Sequence, residues 1–126
     1  PDKDVIAVTG DGFYQFGTPA PAIWAAAHHG APFLTIVYTN RSYSTGTTRV
    51  GNAYGREGYA AKGGYEGGYF DPPIDFAKEA ESAGGYGETV RDPNDLANAF
   101  RRGQDKVKNG TPAVISVWMK RLEAND

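Results

Sequence analysis

The chain has 126 residues, a formal net charge of −2 and no cysteine. That length suits one domain able to bury roughly two thirds of its unfolded surface. The near-neutral charge argues against nucleic-acid and anionic-membrane partners, the missing cysteines exclude disulfides and thiolate metal sites, and no apolar run is long enough to span a bilayer.

In chain order, DVIAVTG reads as a short buried strand, Val5 to Thr9, stopped by Gly10. A helix follows, with Thr18 as its cap and Pro19 and Pro21 in the first turn, where no backbone donor is missed. IWAAAHH continues it, and Gly30 supplies a left-handed exit. PFLTIVYTN is a second strand, Phe33 to Thr39, whose continuous apolarity suits a parallel sheet covered on both faces. Residues 40–73 are nearly all Gly, Tyr and polar, which predicts a long irregular loop with one short helix. Regular structure resumes with a helix from Asp75 to Ala83, closed by Gly84-Gly85, and GETV gives a third strand. Asp92-Pro93 caps a helix reaching about Asn109, and AVISVWM, Ala113 to Met119, is the last strand. Trp24 and Phe76 are assigned to the core. The order predicts an α/β fold, a three-layer sandwich with a mostly parallel sheet. The opening PDKDVIAV has no initiator Met and no leader and begins almost inside a strand, so the expectation is a piece of a longer polypeptide.

In open parallel sheets, ligands gather at the carboxyl ends of the strands. The first strand ends in Gly10-Asp11-Gly12 and the second in Asn40-Arg41-Ser42. Magnesium takes six oxygen ligands at about 2.1 Å and shares them between protein, water and phosphate. The Asp11 carboxylate, the Asn40 amide oxygen and the Ser42 carbonyl make a partial set that a diphosphate and a water can complete. Gly12, having no side chain, lets its N–H approach a phosphate oxygen.

These residues carry a family resemblance. GDG, then the 29-residue step from Asp11 to Asn40, then N-x-S, resembles the thiamine diphosphate signature. AIWAAAHHGAPFLTIVYTNRSYSTG is similar to the helix-strand-loop passage of acetolactate synthases and benzoylformate decarboxylases, including Pro32 before the strand and Tyr43 after the ligand turn. FDPPIDFAKEAESAGGYGETVRDPNDLANAFRRG is similar to the closing helices of the same family. The resemblance implies a thiamine diphosphate-binding fold, N-terminally incomplete, spanning residues 1–126 as the C-terminal diphosphate- and magnesium-binding domain. It implies cofactor contacts at Gly10, Asp11, Gly12, Phe13, Asn40, Ser42 and Tyr43, with Asp11, Asn40 and Ser42 on the metal. The cofactors implied are thiamine diphosphate and Mg2+, and the parent is a cytoplasmic homodimer or homotetramer acting on a 2-keto acid, without nucleic-acid or membrane partners. An acetolactate synthase-like carboligase is the first expectation, a benzoylformate-type decarboxylase the second. The acid that activates the cofactor lies in another domain of such enzymes, and the residue that bends the cofactor and a strand-helix unit lie upstream; the fragment alone is expected to be inactive. The chain departs from the family at Thr39, where many relatives have a first Asn, and in the longer helix entry GTPAP.

The rival from another class is a magnesium-binding receiver-like regulatory module with Asp11 as phospho-acceptor. It needs an acidic pair after the first strand and a Lys ending a later one; Asp2 and Asp4 precede the strand instead. A non-catalytic interaction domain using the Tyr-Gly segment is a third reading. His28-His29 do not share a helix face, so a dipole-stabilising role is preferred to zinc. Arg41 and Arg49 are read as solvated or interface residues. The segment from Tyr54 to Tyr69 is read as a loop dependent on cofactor or on a neighbouring subunit.

Overall fold

The structure is a computed structural model that describes residues 3–55 and 57–121, so Asp2 lies outside the described residues. The chain divides into two compact units: Pro1–Thr39 with Asp75–Met119, and Asn40–Ile74 with Lys120–Asp126.

The first unit holds strands β1 (Ile6–Gly10), β2 (Leu34–Thr39), β3 (Tyr86–Val90) and β4 (Ala113–Trp118) in one sheet of order β1-β2-β4-β3, all neighbours parallel. Parallel neighbours need crossovers, and helices supply them on both faces. Helices α1 (Asp11–Phe16), α2 (Pro19–His28) and α5 (Phe76–Ser82) serve one face, and α6 (Leu96–Lys108) the other. The α/β sandwich expected from the sequence is the fold observed.

Alternation along the strands divides the core in two. Leu34, Ile36, Ala113 and Ile115 cluster with Ala99 of α6, and Phe100 and Val107 pack against them. Thr35, Val37, Thr39, Val114 and Ser116 therefore point the other way, and all are buried. Phe76 and Ala80 of α5 and Ile23 of α2 are buried as well. A Cβ on Gly87 of β3 would sit 2.0 Å from the Ala77 carbonyl oxygen of α5. Glycine is required there because helix backbone lies against strand backbone.

Several expectations are corrected. Strand β1 is not buried: Ile6 and Val8 are 43 and 59% exposed at the sheet edge, while α6 packs against β2, β3 and β4. The helix after β1 starts at once at Asp11, breaks at Gly17-Thr18 and resumes at Pro19. Thr18 occupies the cap position, yet its side chain makes no capping bond because its backbone is left-handed, φ +47°. Trp24 is 58% exposed, stacked on His28 rather than packed in the core. Asp75 and Asp92 do cap their helices, accepting from Lys78 N and Asn94 N. The Asp92-Pro93 segment first makes a single 3-10 turn, Pro93–Asp95.

The second unit is more helical than its composition suggests. Helix α3 spans Ser44–Tyr54 and α4 spans Tyr59–Lys62. The Tyr43 carbonyl accepts from both Gly46 N and Thr47 N, starting a helix whose Thr and Gly residues have poor intrinsic propensity. Thr47, Tyr65 and Phe70 of this unit are buried.

Candidate metal centre

The candidate residues fall into two groups, one in each unit. In the first unit, the register pairs Gly10 of β1 with Tyr38 of β2, so both strands end on the same edge of the sheet. Asp11 follows β1 directly and is 2% exposed. A carboxylate so deeply placed requires strong compensation. The Gly12 N–H donates to Asp11 Oδ1 at 2.9 Å, so its service to a phosphate would mean giving up that bond. Phe13 is 84% exposed.

Gly10 is more telling. Its backbone is extended, φ −84° and ψ 157°, a conformation any residue adopts, and a Cβ there would meet no heavy atom within 4 Å. Neither a turn nor packing demands glycine. The bare backbone at the end of β1 faces open space, so main-chain atoms there can be approached closely.

Further along α1, the Tyr14 hydroxyl is buried without a hydrogen-bond partner, and so is Glu79 Oε2 of α5. Burial, reinforced by the Glu79 charge, pushes the Tyr14 hydroxyl well above its ordinary range. Burial likewise raises the Glu79 carboxyl. The Tyr14 ring packs edge-on against Phe76 at 5.0 Å.

In the second unit, Asn40 and Ser42 are brought together. Asn40 Oδ1 accepts from Ser42 N at 2.9 Å and from Ser42 Oγ at 3.1 Å, while Asn40 Nδ2 donates to Ser44 Oγ at 3.3 Å. Between them Arg41 is left-handed, φ +63°, a strained state for a long side chain. Ser42 pairs with Tyr69 in a single antiparallel bridge, flanked by Tyr43 N to Gly68 O and Phe70 N to Arg41 O. In that pattern the N–H and carbonyl of Ser42 itself turn away from the partner strand. Tyr43 packs its ring edge-on to Phe70 at 4.8 Å and, with Thr47, Val50, Tyr59 and Tyr65, lines an apolar hollow of about 470 Å³.

The sequence reading missed the Tyr69 strap and Arg41's conformation. The strap's partners are far apart in the chain, and no local pattern announces a left-handed arginine. Thr39, the departure from the family's paired Asn, bonds through Oγ1 to Ser116 Oγ at 2.8 Å, so that position serves the sheet. Among the described residues no three His, Cys, Asp or Glu side chains cluster as a metal site. A set of one carboxylate, one amide and one carbonyl lies outside such a pattern.

The family model for the thiamine pyrophosphate enzyme C-terminal TPP binding domain matches residues 1–117. The chain belongs to that family. Thiamine pyrophosphate is another name for thiamine diphosphate. Among solved structures, the chain is similar to the thiamine diphosphate-dependent 4-hydroxybenzoylformate decarboxylase of Rhodococcus jostii RHA1, with 28% identity and a TM-score of 0.76 over 98% of this chain. The chain spans 21% of that protein's length. As a thiamine diphosphate-binding domain, it carries hard oxygens of the kind magnesium takes in each unit: the buried Asp11 carboxylate in the first, the Asn40 amide oxygen and the Ser42 carbonyl in the second. Among the described residues, no helix is long and apolar enough to cross a membrane.

Proposed function

We propose that this domain anchors the diphosphate of thiamine diphosphate through a magnesium ion held by the Asp11 carboxylate, the Asn40 amide oxygen and the Ser42 carbonyl, within a decarboxylase of 2-keto acids. When bound, the cofactor supplies the electron sink that accepts the electrons released with carbon dioxide. The residues of this chain do the holding. Asp11 and Asn40 fix the ion, and the bare Gly10 backbone admits the pyrophosphoryl group.

The observation that carries the reading is the likeness, at 28% identity over 98% of the chain, to a 4-hydroxybenzoylformate decarboxylase. It favours decarboxylation over the acetolactate synthase-like carboligation put first on sequence grounds. The domain alone should not turn over substrate, since it spans only 21% of that relative. The exposed apolar edge of β1 supports a further strand-helix unit covering it in the whole enzyme. Phe13 and Phe16, 84 and 78% exposed, with Trp24 on a stretch free of Asp, Glu, Lys and Arg, support an oligomeric parent.

The test is calorimetric titration of thiamine diphosphate into the full-length enzyme, with and without magnesium, alongside Asp11→Asn. Magnesium-dependent binding that weakens at least about tenfold in Asp11→Asn supports the site. Equal binding without the metal, or by the variant, overturns it. Carbon dioxide release from benzoylformate without carboligation product separates the decarboxylase from the synthase.

A further inference from the structure

The turn that carries Asn40 and Ser42 is held from behind. Tyr43 N donates to Gly68 O at 2.8 Å and Phe70 N to Arg41 O at 2.9 Å, so the segment Gly68–Asp71 lies as a strap along Arg41–Tyr43. Residues of an extended segment alternate in direction. Phe70 turns inward onto the Tyr43 ring, while Tyr69 and Asp71 share the other side. Both are gripped by one side chain. Arg121 donates Nη1 to Asp71 Oδ1 at 3.0 Å and Nη2 to Asp71 Oδ2 at 2.8 Å, and its guanidinium carbon lies 4.2 Å from the centre of the Tyr69 ring. Only the planar fork of arginine makes a bidentate pair and a stack together.

We propose that Arg121 is a positioning residue for the magnesium-ligand turn, clamping Tyr69 and Asp71 so that the strap keeps the Arg41–Ser42 backbone in its strained, ligand-presenting form. The proposal rests on the assignment of Asn40 and Ser42 to the metal. Asp71 is largely exposed, and ion pairs of that kind add little to overall stability. What the clamp secures is local. Arg41 at φ +63° relaxes readily unless its neighbours over-determine it, and the strap's two bonds fall on either side of Ser42. The guanidinium holds the Asp71 carboxyl below its usual range, so both partners are charged at neutral pH.

The experiment titrates magnesium into the full-length enzyme at saturating thiamine diphosphate, reading cofactor binding by calorimetry and turnover separately. The variants are Arg121→Ala, Arg121→Lys, Asp71→Asn and, as the control for the ligand assignment, Asn40→Ala. Arg121→Ala and Asp71→Asn should weaken magnesium binding about tenfold, the low end for partners behind a ligand. Arg121→Lys should fall between, and kcat at saturating magnesium and the melting temperature without metal should stay at wild-type values. Magnesium affinity within about twofold of wild type in Arg121→Ala, with Asn40→Ala impaired, overturns the clamp and leaves the ligand assignment standing. A drop in metal-free melting temperature in both Arg121→Ala and Asp71→Asn that accounts for the weaker binding overturns it in favour of a structural role. Unimpaired magnesium binding by Asn40→Ala overturns the ligand assignment, and the clamp with it.

Discussion

The side-chain oxygen of Asn40 accepts the backbone N–H of Ser42 at 2.9 Å, closing a small ring that fixes the amide plane before any ion arrives. The Ser42 hydroxyl adds a second bond at 3.1 Å to the same oxygen, which a metal would have to displace. The two residues should therefore respond differently to truncation. Ser42→Ala keeps the carbonyl and the N–H and frees the Asn40 oxygen, so magnesium affinity should stay within about threefold, less than the loss typical for a ligand partner. Asn40→Ala removes the donor and opens the ring, and should weaken magnesium binding at least about tenfold. Paired magnesium titrations on the full-length enzyme check both. Equal losses would mean that the hydroxyl, not the carbonyl, is what matters at Ser42.

Glu79 gives a pH signature. Burial raises its carboxyl above the ordinary value, so the folded state holds the proton more tightly than the unfolded chain does. The stability this contributes is complete below the unfolded carboxylate range and is lost as pH rises through the folded value. Glu79→Gln removes the titration. Its melting temperature should match wild type in acid and exceed it at neutral pH, with the gap opening just above the usual glutamate range. Thermal melts across pH read the crossover, and parallel curves for the two proteins would rule the idea out.

Tyr14 offers a related test without ionisation. Its hydroxyl is buried with no partner, which penalises the folded state because unfolding returns the group to water. Tyr14→Phe keeps the ring and its edge-on contact with Phe76 at 5.0 Å. The substitution should stabilise the protein by roughly 1 kcal/mol. Denaturant unfolding measures it, and a loss of stability would reveal a bond that the hydroxyl makes in the assembled enzyme.

The sheet was legible because its signals are local and physical. The apolar run of β2, the caps at Asp75 and Asp92 and the left-handed Gly30 each act within a few residues. Asp11 and Asn40 stand out in the sequence because they follow the ends of two strands, and the register shows that β1 and β2 end side by side. What escaped depends on distant partners. Helix α3 forms although Thr and Gly are weak helix formers, since the Tyr43 carbonyl starts it and Thr47 is buried. Trp24 is read as core from the sequence, yet a helix pattern does not say which face meets the sheet, and the residue is 58% exposed. The pairing of Arg121 with Asp71 joins residues 50 apart, and no window of sequence contains both.

Gly10 and Gly87 carry the sharpest contrast between folding and binding. A Cβ on Gly87 would lie 2.0 Å from the Ala77 oxygen and 2.5 Å from its carbonyl carbon, both rigid backbone. Gly87→Ala must push α5 off β3 and should cost at least about 3 kcal/mol, the upper end for overpacking. That corresponds to a melting temperature lower by more than about 10 °C. At Gly10 the backbone is ordinary extended chain and the space beside it is open. Gly10→Ala should leave the fold intact and raise stability slightly, by about 0.5 kcal/mol, through a less flexible unfolded chain. If that open space receives the diphosphate, the same methyl group should weaken thiamine diphosphate binding at least about tenfold, equivalent to about 1.4 kcal/mol. A melt and a titration on each variant suffice. Should Gly10→Ala bind the cofactor as tightly as wild type, the end of β1 is not where the pyrophosphoryl group lies, and Asp11 loses its neighbour in the proposed site.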